Sequence, residues 1–142
     1  MRQPRYLAWA LLISVAVLGC GGAPPHSPTT GSRECVESYH AALIRQDWPA
    51  AYALLDPQVQ QQYSAQRFSE LARRHVQRMG FEPTMAMVWA CEEHNEEATA
   101  HVVLTGRAAN KEMRYRDAVV LRRRGDDWRV LLPPNFEQTA KR

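Results

Sequence analysis

The chain has 142 residues, 45% of them hydrophobic and 23% charged, with 18 Lys and Arg against 15 Asp and Glu. That is enough for one small domain with one folded core. Two of the basic residues, Arg2 and Arg5, fall within the first 19 positions, so the remainder is almost neutral, which excludes the bulk basic character of a nucleic-acid-binding domain.

From the N-terminus, Arg2 and Arg5 introduce an uncharged apolar run of 13 residues, Tyr6 to Leu18. A membrane-spanning helix needs about 20 such residues. A positive start, a short apolar run and small residues at its end describe a secretory signal. The run ends in Val17-Leu18-Gly19-Cys20, which resembles the lipobox of bacterial lipoproteins, with Leu18 where a smaller residue is more usual. The resemblance implies a lipoprotein signal peptide over residues 1–19, acylation of Cys20, and a mature chain anchored to a membrane of the bacterial cell envelope, outside the cytoplasm. A plain signal peptide with an incidental Cys20 is the alternative. One acyl chain holds only marginally, at about 0.8 kcal/mol per buried methylene, so stable attachment needs more than one. The segment "GGAPPHSPTTGSR", 21–33, has no apolar periodicity and reads as a tether. With Cys20 it forms an expected flexible linker over 20–33, reaching roughly 40 Å in polyproline-like geometry.

The next stretch is helical. Ser32 is a candidate N-cap, and Cys35, Val36, Tyr39, Ala42 and Leu43 recur at three- and four-residue spacing. Asp47 can cap a second, short helix with Pro49 in its first turn, and Pro57 reads as its stop. A third helix starts at Ser64. Phe68, Leu71, Ala72, His75, Val76 and Met79 line one face, and Gly80 fits the left-handed position that ends it.

The period then changes from helical to two. "TMAMVWACEE" alternates, with Met85, Met87, Trp89 and Cys91 expected on one face. "ATAHVVLTG", "EMRYRDAVVLRRR" and "DWRVLLPP" follow, separated by the turn-like "HNEE", "GRAANK" and "GDD". Short connections predict a four-stranded antiparallel meander, and helices before strands predict an α+β domain. In the meander Glu92, Glu93, Glu96 and Glu97 come towards Arg122, Arg123 and Arg124.

"YHAALIRQDWPAAYALL" and "RRRGDDWRVLLPP" resemble the opening helix pair and closing hairpin of the nuclear transport factor 2-like (cystatin-like, SnoaL-like) superfamily, over about residues 33 to 134. That resemblance implies N-terminal helices packed on a curved four-stranded antiparallel sheet, a cone enclosing a cavity. The expected domain covers 34–136, with a tail at 137–142. The superfamily includes isomerases, dehydratases and binding modules, so the fold does not choose among functions.

Two residues carry the catalytic alternative. Asp117 shares a strand face with Met113, Tyr115, Val119 and Leu121, and a carboxylate there requires a partner. His75, on the apolar face of the third helix, is the candidate. Together they suit proton transfer in a cofactor-free isomerase- or dehydratase-like site, or they are structural. Tyr39, Trp48, Tyr52, Trp89 and Tyr115 are candidates for lining a pocket, and aromatic core is the alternative. No metal and no cofactor is expected. Cys35 and Cys91, 56 positions apart, are an even pair in an exported context and are expected to form a disulfide, with buried free thiols as the alternative. The preferred expectation is an envelope lipoprotein, attached to the membrane through Cys20, whose domain binds an envelope protein or small apolar ligand without catalysis. Dimerisation stays open.

Overall fold

The computed structural model describes residues 28–139; the expected signal peptide, Cys20, most of the expected linker and residues 140–142 lie outside the described residues. Four helices come first, α1 (Ser32–Ile44), α2 (Trp48–Ala53), α3 (Pro57–Gln62) and α4 (Ala65–Arg78). The strands β1 (Glu82–His94), β2 (Glu97–Ala108), β3 (Lys111–Arg124) and β4 (Asp127–Leu131) follow, and α5 (Phe136–Thr139) closes the fold. The strands form one antiparallel sheet in sequence order. Val36, Tyr39 and Ala42 of α1 join Phe68 and Leu71 of α4 in a core against Val102, Leu104, Val119, Leu121 and Val130 of the sheet. The α+β meander expected from the sequence is the observed fold.

The starts of α2, α3 and α4 are capped by side chains. Asp47 accepts a hydrogen bond from Ala50 N, and Ser64 from Arg67 N. Gly80 adopts φ 73 after α4, as expected of a helix-ending glycine. Pro57 does more than stop α2. It is the first residue of α3, with Asp56 as N-cap accepting from Gln58 N. Asp56 is fully buried, and Arg124 grips it through Nε at 2.8 Å and Nη2 at 3.2 Å. That guanidinium, offset by burial and aided by Gln58 N, holds the Asp56 carboxyl below its usual range.

The expected linker is docked from Thr30 onward, and the expected start of the domain at residue 34 falls inside α1. Gly31, at φ 111, occupies the N-cap position of α1 without a side-chain cap. Ser32, expected as the cap, is instead buried, and its hydroxyl donates to Glu93 Oε1 at 2.6 Å. Thr30 donates to Glu93 through its backbone N at 2.8 Å and through its hydroxyl at 2.9 Å, and accepts from Trp128 Nε1 at 3.1 Å. Burial opposes ionisation of Glu93, but the Ser32 and Thr30 donors win and hold its carboxyl below the ordinary value. At the other end Phe136 is buried and Glu137 pairs with Arg67, so the expected tail from 137 begins within α5.

The expected glutamate–arginine meeting is partial. Glu97 pairs with Arg122 at 3.1 Å, whereas Arg124 serves Asp56 and Glu93 serves Thr30 and Ser32.

β1 departs from simple alternation. Its register against β2 shifts between Pro83 and Met85 and again between Val88 and Ala90. Val88 pairs with Val102 and Ala90 with His101, so Trp89 is the extra residue of a bulge. Val88 and Cys91 therefore both face the core, and Met85, Met87 and Trp89 face solvent. This corrects the expectation that Cys91 shares their face. The turns are also shorter than the separators suggested, because Gly106 lies within β2. A Cβ there would sit 2.1 Å from the Glu82 carbonyl oxygen and 2.7 Å from Phe81 Cδ2. Gly106→Ala is expected to lower stability by about 1–3 kcal/mol through that overlap. Gly125→Ala, where φ is 63 and no atom lies within 4 Å of the added carbon, loses about 1 kcal/mol through backbone conformation alone. Urea midpoints compare the two; an equal loss at both would mean that close approach at Gly106 has no energetic weight.

Candidate functional site

Between α1, α4, α5 and the sheet lies a cavity of about 80 Å³, lined among others by Tyr39, His75, Asp117, Val119 and Phe136. Asp117 arrives there because β3 alternates as read, with Val119 and Leu121 buried on the same face. Its Oδ1 accepts from Ala118 N at 2.9 Å. Its Oδ2 lies 3.8 Å from Nε2 of His40, a residue only 1% exposed. His40 Nδ1 is 3.0 Å from the Val36 carbonyl. A carbonyl can only accept, so Nδ1 carries a hydrogen, and Nε2 is the nitrogen turned to the carboxylate. Tyr39 stands edge-on to the His40 ring, centroids 5.4 Å apart.

His75 reaches the same cavity but is not the ion-pair partner expected for Asp117. It packs edge-on against Tyr115 at 6.1 Å and near Phe136 at 6.4 Å. Burial lowers its pKa, and that outweighs the opposing pull of the Asp117 charge. Burial, reinforced by the Asp117 charge, raises both tyrosine hydroxyls, Tyr39 and Tyr115. Sequence reasoning missed His40, although it lies four residues after Val36, on the stripe that carries the core face of α1.

The other aromatic candidates do not converge. Tyr52 is structural: its hydroxyl lies 2.8 Å from the Tyr63 carbonyl and 3.0 Å from that of Gln60, which share its one hydrogen, and so closes α2 onto α3. Trp128 is core and donates to Thr30. Trp48 lines a separate groove beside α4. Trp89 is 52% exposed on the outer sheet face, its ring 5.2 Å from that of His101.

The expected Cys35–Cys91 bridge is absent. Both thiols are buried and free. Cys35 donates to the Trp128 carbonyl at 3.2 Å, and Cys91 Sγ lies 3.1 Å from the Ser32 hydroxyl. Each sulfur thus has its own partner on a different element. Burial, the largest influence on each, pushes the Cys35 thiol up to about 11 and also raises Cys91. Both are therefore poor thiolates. Among the described residues no group of three His, Cys, Asp or Glu is arranged to hold a metal ion.

Asp117 and His40 Nε2 stand 3.8 Å apart, and Asp117 also lines the adjoining space of about 80 Å³. No protein-family model matches the chain. No curated protein matches it either. Solved structures share the fold, two of them as follows. One is a SEC-C motif containing protein from Rhodopseudomonas palustris, TM-score 0.56 at 15% identity, covering 72% of this chain and 77% of that one. The other is a protein from Campylobacter jejuni described as an NTF2-like transpeptidase, TM-score 0.56 at 14% identity, covering 70% of this chain and 96% of that one. The helices on a four-stranded open antiparallel sheet, with that second neighbour, define a nuclear transport factor 2-like fold.

His75 supplies a pH test. Its folded pKa lies below the ordinary histidine value near 6.5. Between the two values the unfolded chain binds more protons, so stability falls as pH drops below about 6.5 and levels off under the folded pKa. His75→Leu removes that part of the acid sensitivity. Urea midpoints at pH 7 and pH 5 are expected to converge in the variant relative to the parent; an unchanged difference would deny His75 the role.

Proposed function

We propose that the chain is a lipoprotein of the bacterial envelope, tethered through acylated Cys20, and that its domain is a non-catalytic module that docks a protein partner on the outer face of the sheet. The tether is supported by the Val17-Leu18-Gly19-Cys20 junction and the polar segment after it. The observation that carries docking is the apolar row on β1: Met85 is 57% exposed, Met87 54% and Trp89 52%. Val120 on β3, across from Thr99 and separated from β1 by β2, is also exposed, at 40%. Contiguous exposed apolar surface of this kind on a folded domain marks an interaction site, and tryptophan and methionine are favoured in interfaces. Arg116, in register with Val103 in the middle of the sheet, borders the row and suits an acidic rim on the partner. A non-catalytic role is supported by the size of the Asp117 cavity, about 80 Å³, well below the 300 Å³ or so of ordinary ligand pockets.

The full chain, expressed in a bacterial host with a labelled fatty acid, tests both halves. Cys20→Ser is expected to lose the label and membrane retention; equal labelling in the variant overturns the tether. The double variant Met87→Lys with Trp89→Lys is expected to keep its melting temperature and lose its crosslinked partner. Retention of the partner overturns the docking face, and a crosslinked product of twice the chain's mass identifies a second copy as the occupant. A substrate turnover abolished by Asp117→Asn at unchanged stability overturns the non-catalytic reading.

A further inference from the structure

A second site lies outside both the Asp117 cavity and the outer sheet face. A groove of about 290 Å³ runs between the end of α1, the start of α2, the C-terminal half of α4 and the start of β1, lined by Gln46, Trp48, Arg73, Val76, Gln77, Phe81 and Glu82. Its floor is apolar: Phe81 is buried and Trp48 and Val76 are half-buried. Its rim carries one cation, one anion and two amides, all on exposed residues.

The rim charges are unspent. Among the described residues neither Arg73 nor Glu82 takes part in a salt bridge or a side-chain hydrogen bond, although both line the same groove. The one contact of Arg73 is with an aromatic face: its guanidinium carbon stands 5.9 Å from the centroid of the Trp48 ring. A contact of that kind places the guanidinium over the indole while leaving its N–H groups free to meet a carboxylate in bidentate fashion. Gln46 has φ 57, a left-handed conformation at the end of α1 where glycine or asparagine is the usual choice. Glutamine there costs conformational energy, and the residue lines the groove.

Opposite charges that share a groove without neutralising each other suit a ligand carrying both complements. We propose that this groove binds a free α-amino acid with an apolar side chain. Arg73 takes the carboxylate and Glu82 the ammonium, and the side chain lies against Trp48, Val76 and Phe81. The volume, at the low end for ligand sites, admits an amino acid or a molecule of similar size and no drug-sized ligand. The site is independent of the tether and of the outer sheet face.

Ligand-observed NMR on the full chain in detergent, with phenylalanine as probe, tests the assignment. Binding is expected at concentrations on the order of 1 mM. 3-Phenylpropionate, lacking the ammonium, phenylalaninamide, lacking the carboxylate, and glycine, lacking the side chain, are each expected to bind about tenfold more weakly. Arg73→Gln and Glu82→Gln change exposed side chains, and unchanged melting temperatures verify that they fold. Each is expected to weaken phenylalanine about tenfold. Trp89→Lys, on the other face, is expected to leave binding unaltered. Absence of phenylalanine binding overturns the proposal. So does equal binding of phenylalanine, 3-phenylpropionate and phenylalaninamide, which would make the groove a plain apolar cleft, and so does full affinity in both charge variants.

Discussion

Val88 faces Val102 and Ala90 faces His101, and the residue between them, Trp89, has no register partner on β2. That unpaired residue governs the division of the domain into inside and outside. Before it, the odd-numbered side chains Met85 and Met87 look outward and Val88 inward; after it, Cys91 looks inward. Without the bulge, either the methionines and Trp89 would be driven into a core already filled by α1 and α4, or Cys91 would leave it. A bulge also bends its strand and increases local twist. The burial of both Val88 and Cys91 and the exposure of Trp89 between them are thus results of one local insertion.

The inner face answers a different constraint. Burying the helices on the sheet forces polar groups inward, and each is met by a partner. Asp56 receives Arg124 and Gln58, His40 receives Val36 and Asp117, and Ser32 receives Glu93 and Cys91. No buried side-chain nitrogen or oxygen among the described residues lacks a hydrogen-bond partner. An unmet group would cost about 1–3 kcal/mol, a large fraction of the stability of a domain this small. The pairs Asp56–Arg124, His40–Asp117, Ser32–Glu93 and Ser32–Cys91 join elements far apart in sequence and so tie the helical half to the sheet. The Asp117–His40 pair belongs to this set in its position.

Much of the fold was legible in the sequence, because it rests on period and punctuation. The α4 stripe from Phe68 to Met79, its Ser64 cap and its Gly80 end were readable, as was the alternation of β3 that turns Asp117 inward. What escaped has particular physical causes. Pro57 carries opposite meanings after one helix and at the start of the next, and only Asp56 beside it decides. The β1 bulge leaves no mark on a pattern in which apolar residues fall on both faces. Gly106 resembled turn chemistry because a glycine demanded by close backbone approach looks like one demanded by a turn. The site was less legible than the fold. Asp117 was visible as a polar residue in an apolar register, but its partner depended on whether α1 or α4 came nearer, and that is a matter of tertiary packing. The thiols were paired on apolar faces, yet the bulge and the hydrogen bonds to Trp128 and Ser32 fix where each sulfur points.

The docking of Thr30 has a mechanical consequence. Chain N-terminal to Thr30 meets the domain through a residue that engages Glu93 of β1 and Trp128 of β4 at once, by three hydrogen bonds of 2.8, 2.9 and 3.1 Å. A pull from that side is therefore divided between the two edge strands of the sheet and shared among those bonds, so that none bears the load alone. Force arriving along the leading segment is resisted as a clamp resists it, and the first turn of α1 is shielded from being peeled away residue by residue.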